Sequence, residues 1–268
     1  MTEVLRPGGA AVLTHDELRR LLTVAGTPRV RAVIALGAFS GLPSRDICEI
    51  KFGDVKGLTL VGHGVSRTFE LTEMTLTLTM HMTVPSRPLR GFDRCTFLCE
   101  EGTMLLADYL KDARSPNPSN NDGQIRFAKN GSIFKGYGFD DLSNINQAAI
   151  WAGLWKPDPD WVPGYLNQLP GKMPIQHQLR SNDEFELHGL RWYFYERMLK
   201  AGVCPRCVQF MSGLWQVTRK GQAIPCDHSM EEMRKAYTSA ARLELQPLFS
   251  TLYRNPPQVR LLSQSGAI

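Results

Sequence analysis

No apolar run in this chain of 268 residues approaches the roughly 18 that a membrane-crossing helix needs. Nor do the first residues pair a basic start with an apolar core, so no secretory leader is expected. Nothing repeats at a fixed period, which excludes a solenoid or propeller. Neither sign of charge dominates: 31 Lys and Arg stand against 26 Asp and Glu, a formal +5. That balance admits a nucleic-acid partner without arguing for one. Cysteine is sparse, and Cys48, Cys95, Cys99, Cys204, Cys207 and Cys226 are the full set. The missing leader implies an intracellular chain, where such cysteines are expected as free thiols or metal ligands rather than as a disulfide framework.

What is present is a hydrophobic content of 43%, ample for one large core or two small ones. After a Gly- and Ala-rich lead-in over 1–13, Thr14 with Glu17 forms a capping box. Leu18, Leu21, Leu22 and Ala25 give the apolar stripe of a first helix. Residues 29–39 predict a second, largely buried helix that Gly41 breaks, and Ser44 to Ile50 a short third. Over 74–84 the period changes: Leu76, Leu78, Met80, Met82 and Val84 alternate with Thr75, Thr77, Thr79, His81 and Thr83, which predicts a half-buried strand. A hairpin at 85–91 leads to a returning strand from Arg94 to Leu98. Helices are expected at Glu100 to Ala113, Leu142 to Leu154, from His188, over 204–212, and from Ser229 to about Leu243. Residues 115–123 read as a surface loop. Residues 156–182, rich in Pro, Gly, Gln and Asn, read as a long loop insertion, and 246–268 as a loosely packed tail.

Two side chains stand out for chemistry. His188 precedes Arg191 by three residues, which places both on nearly one face of a helical turn. Together they suit a phosphate: the Arg as a fixed fork of donors, the His as a proton donor or acceptor. They lie in the run Leu187-His188-Gly189-Leu190-Arg191-Trp192-Tyr193, and a second short helix downstream ends at Phe210-Met211-Ser212-Gly213.

This arrangement resembles the tyrosine recombinase (phage integrase) family, in which His-x-x-Arg opens one helix and Gly-His closes the next. The likeness runs from about Leu13 to Leu245. Leu13-Thr14-His15-Asp16-Glu17-Leu18 looks like the family's opening Leu-Thr-x-x-Glu-Leu. Ser40-Gly41-Leu42, Asp46 and Asp54-Val55 look like the box that carries a first Arg. The resemblance implies a mainly helical catalytic domain over 14–245 with a small antiparallel sheet, acting on double-stranded DNA and self-associating on it. It implies cleavage without metal or cofactor. A Tyr hydroxyl would attack a backbone phosphate, two Arg and a His would hold the non-bridging oxygens, and a hairpin Lys would protonate the leaving oxygen.

Against that pattern, His188 and Arg191 match and the other positions depart. Pro43 stands where the first Arg belongs, and Arg45 comes two residues later, about 200° further around a helix. Between Val84 and Cys95 the cations are Arg87, Arg90 and Arg94. Arg90 is the expected stand-in for the Lys, although a guanidinium is a poor proton donor. Gly213-Leu214-Trp215 replaces Gly-His, with Trp215 the residue type the family accepts. Aligned with archaeal-type integrases, the family's Tyr falls near Ile224 to Cys226, where this chain has none. Tyr237 is the available hydroxyl, either as a displaced nucleophile or as a packing residue.

Cys204-Pro205-Arg206-Cys207 with Cys226-Asp227-His228 offers four ligands for a tetrahedral zinc. The family's chain path argues against it, because Cys204 would end the His188 helix while 224–228 would lie near its start. Three readings follow: a diverged integrase of a mobile element, using His188, Arg191, Arg45, Arg90, Trp215 and Tyr237; a relative that binds DNA without cutting it; and a zinc-stabilised regulatory or interaction domain. No separate DNA-clamping domain fits before residue 14, so a catalytic domain alone, or one assisted by a partner, is expected.

Overall fold

The structure is a computed structural model that describes residues 12–63, 67–81, 93–113, 127–134, 139–154, 187–213 and 226–245. It is mainly helical with a small antiparallel sheet. The first helix, α1 (His15–Val24), opens on the expected capping box: the Glu17 N–H donates to the Thr14 hydroxyl at 3.3 Å, and the Thr14 N–H donates to the Glu17 carboxylate at 2.7 Å. Its stripe of Leu18, Leu21 and Leu22 is buried.

The centre of the molecule is α2 (Pro28–Ser40). Pro28 starts it with the φ a first turn requires, and Thr27 accepts the Val30 N–H. Val30 and every residue from Ala32 to Phe39 except the glycine is a buried apolar side chain, so this helix is surrounded rather than amphipathic. It stops at Gly41, whose φ of +68° is left-handed. A Cβ there would come within 2.4 Å of the Phe194 ring, so this glycine also makes room for the helix that carries Arg191. Two helices, α4 (Glu100–Asp112) and α6 (Leu187–Lys200), pack against α2. In α6, Leu190, Tyr193, Phe194 and Met198 are fully buried.

After the short α3 (Ser44–Glu49) and a 3-10 turn at Phe52–Asp54, the sheet begins. Strands β1 (Val55–Lys56), β4 (Leu76–His81) and β5 (Asp93–Leu98) pair antiparallel in the order β1-β4-β5. The alternation expected over 74–84 holds in β4, where Leu76, Leu78 and Met80 are buried; residues 82–84 lie outside the described residues. The register sets Leu78 opposite Thr96 and Met80 opposite Arg94. The Thr96 hydroxyl donates to the Ser40 carbonyl at 2.6 Å, fastening β5 to the end of α2. A second hairpin, β2 (Leu58–Val61) with β3 (Thr68–Leu71), has no counterpart in the sequence reading. Its alternation is short, and Thr and Glu face outward between few apolar partners.

The remaining helices are α5 (Phe139–Trp151), three residues earlier than expected, α7 (Pro205–Ser212) and α8 (Met230–Glu244). Ser229 and Glu232 cap α8 reciprocally. Among the described residues no helix is long and apolar enough to cross a membrane. The lead-in up to residue 11, the 115–123 loop, the 156–182 insertion and the 246–268 tail lie outside the described residues.

Candidate functional site

Arg191 sits in the second turn of α6, half-buried, and its Nε donates to the Ser212 carbonyl at 2.8 Å. That carbonyl belongs to the last turn of α7, where unpaired acceptors and the negative end of the helix dipole favour a cation. The next residue, Gly213, closes α7 in a left-handed conformation with φ +67°. Around Gly213 a second guanidinium appears. Arg94 Nη1 lies 1.7 Å from where a Gly213 Cβ would be, and Arg191 Nη2 lies 3.5 Å from it. Any side chain at 213 would therefore displace Arg94, independently of the backbone strain.

Arg94 comes from β5 and is 1% exposed. One of its terminal nitrogens pairs with Asp46, in the first turn of α3. Its Nε has no hydrogen-bond partner among the described residues. Two guanidiniums thus share one carboxylate. Burial first, and then the Arg94 charge, pull Arg191 down to about 10, while Asp46 acts in the opposite direction. Arg94 is likewise lowered by burial and held up by Asp46. Among the described residues, the two guanidiniums therefore have one neighbouring carboxylate, Asp46, in a partly desolvated place. A fork of planar donors with surplus charge is what a phosphate or carboxylate recognises.

The sequence expectations fare unevenly. The pair of helix positions 188 and 191 is helical, and His188 lies in the first turn of α6; its side chain, like that of Arg45 in α3, is outside the described residues. Arg90 and Trp215 also fall outside them. Arg94, which the sequence reading passed over in favour of Arg90, is the second guanidinium. What singles it out is the register, which the sequence does not show: Arg94 pairs with Met80 inside the β4–β5 ladder and meets Asp46.

Tyr237 requires a correction. Its side chain is fully buried, and its hydroxyl donates to the Phe39 carbonyl at 2.8 Å. Its ring packs on Phe97 and Phe194, and burial pushes its pKa well above the usual tyrosine value. That is a packing residue of α8, shut away from any phosphate that approaches from solvent. The other described tyrosines are also buried. The Tyr109 hydroxyl donates to the Ile133 carbonyl, Tyr193 pairs with His15 Nδ1 at 2.7 Å, and Tyr195 is 5% exposed.

A second correction concerns the cysteines. Residues 226–228 do not lie near the start of α6; they return to the start of α7. The sulfurs of Cys204 and Cys207 and a ring nitrogen of His228 all lie within 4.8 Å of one another. Cys226 Sγ is 3.1 Å from Cys207 Sγ and 3.6 Å from His228 Nδ1. The eight residues of α7 span only about 12 Å, a distance that the chain between Gly213 and Cys226 can easily retrace.

A groove of about 710 Å³ between α8 and the sheet is the rival location for an anion. Two of its four cations are neutralised from within, and Lys56 and Arg242 leave it an excess of positive charge. Arg234 pairs with Glu73, and Lys235 lies 3.0 Å from Glu231.

No family model matches the chain, and no curated protein matches it. Solved structures similar to it include XerA recombinase, with TM-score 0.46 and 17% identity over 90% of this chain and 66% of that one. Others are XerH site-specific recombinase bound to palindromic difH substrate in a post-cleavage complex (0.42; 16%; 91% and 53%) and the integrase from mycobacterium phage Brujita (0.43; 18%; 88% and 60%). The chain spans between about half and two thirds of the length of these structures. These are likenesses of backbone trace at low identity, and the functional reading rests on the side chains.

Proposed function

We propose that this chain binds double-stranded DNA as a recombinase-like domain, and that the half-buried Arg191, backed by the buried guanidinium of Arg94, grips a backbone phosphate. The observation that carries the reading is the pair of guanidiniums that meet at Gly213, one of them ion-paired with Asp46. The surplus charge calls for an anion from outside, and the recombinase-like order of sequence boxes makes that anion a phosphodiester. Self-association on DNA is part of the proposal. Strand cleavage through Tyr237 is not, because its hydroxyl is committed to the Phe39 carbonyl. The second reading, a working integrase, would need a nucleophile other than the described tyrosines.

Fluorescence polarisation with labelled duplex DNA across a salt series tests this. Wild type should lose affinity steeply with salt, since bound phosphates displace counterions. Arg191→Ala should reduce the slope by about one and the affinity by roughly 10-fold or more. Equal affinity and slope in the variant would overturn the phosphate role. A nicked suicide duplex separates the two readings: wild type should form no denaturant-resistant adduct, and an adduct would restore the integrase.

A further inference from the structure

The start of α7 gathers three thiols and an imidazole; Cys207 belongs to the core and Cys204 and Cys226 pack against it, but core packing alone does not account for their convergence with His228. Cys204 is the N-cap of α7 and makes no side-chain capping bond. Cys207 lies in its first turn, and Cys226 and His228 come from the turn just before α8. The spacing is Cys-x-x-Cys followed by Cys-x-His. In a tetrahedral zinc centre with Zn–S of about 2.3 Å and Zn–N of about 2.0 Å, neighbouring ligand atoms lie about 3.3–3.8 Å apart. The Cys226–His228 separation of 3.6 Å lies within that range and the Cys207–Cys226 separation of 3.1 Å just below it, while Cys204, Cys207 and His228 lie within 4.8 Å of one another. Shifts of about an ångström would close the tetrahedron.

The alternatives are weaker. Ordinary packing would place apolar atoms around Cys207, which is buried, and not two further thiols and an imidazole beside it. A Cys207–Cys226 disulfide would leave Cys204 and His228 unexplained and would need an oxidising compartment. The turn is held from a second side by Arg206, whose guanidinium lies 3.1 Å from Asp227. The ligands therefore sit on backbone already docked.

We infer that Cys204, Cys207, Cys226 and His228 form a structural zinc site that staples the start of α7 to the start of α8. This reverses the expectation drawn from the chain path and does not depend on the DNA reading. In the alignment with archaeal-type integrases, the usual Tyr falls at Ile224 to Cys226. The chain thus uses a metal ligand where the resemblance expects a nucleophile. All four positions are filled by protein, so the site is structural rather than catalytic. Three thiolates and a neutral imidazole around Zn²⁺ leave one negative charge, which the N-terminal end of α7 favours.

The full chain, purified under reducing conditions without chelator, should contain one zinc per molecule by elemental analysis. Exchange with cobalt should give the intense visible bands and sulfur-to-metal charge-transfer absorption of a tetrahedral thiolate centre. His228 is exposed, so His228→Asn should fold while losing metal affinity by at least 10-fold. His228→Cys should keep the metal and strengthen the charge-transfer band. Cys204→Ser should lose metal as His228→Asn does. Any of four results overturns the site: a folded, metal-free protein; a weak octahedral cobalt spectrum, meaning an adventitious ion only; unchanged zinc content in both His228→Asn and Cys204→Ser; or a Cys207–Cys226 disulfide in protein never exposed to oxidant.

Discussion

The two ends of α7 make opposite use of the same short helix. At its C-terminal end, Arg191 donates to the Ser212 carbonyl, and Arg94 fills the space that Gly213 leaves open. At its N-terminal end three thiols and an imidazole collect. The first end has more positive charge than its own carboxylate can balance. The second has sulfur and nitrogen donors of the kind that a soft cation takes. Helix polarity suits each arrangement, cations at the carbonyl end and thiolates at the N–H end. The difference teaches that one short helix holds two groups of opposite chemical character about 12 Å apart, guanidiniums at one end and thiols with an imidazole at the other.

The contrast breaks most severely at Asp46. Asp46→Ala leaves Arg94 and Arg191 buried without a counter-charge, and removing one partner of a buried pair costs about 3–5 kcal/mol. Urea denaturation should show a loss of that order, and added phosphate should recover part of it. Metal content at the other end should not change. Gly213→Ala comes next. It adds strain at a positive φ and pushes Arg94 away, so we expect a loss of about 2–3 kcal/mol together with weaker DNA binding in the salt series.

Glu101 sharpens the comparison as a buried charge with no partner of either kind. Both of its oxygens lack hydrogen-bond partners among the described residues, and burial, followed by neighbouring Glu100, raises it to about 8. The folded state therefore prefers it protonated, whereas the unfolded chain ionises near 4.5. Its destabilising effect is absent below pH 4.5, grows as pH rises to about 8, and is complete above that. Glu101→Gln should raise the melting temperature at pH 8.5 by several degrees and leave it nearly unchanged at pH 4.5. An equal gain at both values would show that the effect is not electrostatic.

Tyr237→Phe is the smallest change. Loss of the hydrogen bond to Phe39 should reduce stability by about 1 kcal/mol, with DNA affinity and metal content unaltered. A drop in DNA affinity would return Tyr237 to the phosphate site.

Much of the helical frame was legible because local rules agree with tertiary packing. The Thr14–Glu17 box, Gly41 as a stop and the Ser229 cap all appear as read, and the alternation around Leu76–His81 identified the central strand. The β2/β3 hairpin escaped because its strands have only four residues each. At the site, the sequence placed Arg191 correctly within a helix, but position along a chain cannot show which cation of a hairpin reaches inward. That depended on the register that sets Arg94 against Met80 and brings it to Asp46. The cysteine spacing was visible, but the sequence held no information on the return path that brings Cys226 back to Cys207.

Two like charges packed beside a single carboxylate also make the empty protein a poorer competitor for its own fold. The Arg94 charge weakens the hold of Arg191 on its proton, and an anion bound there would add to what Asp46 does to offset it. On the proposed phosphate reading, an anion that binds only the folded chain adds to its stability by mass action, so polyanions should raise the melting point in step with their affinity.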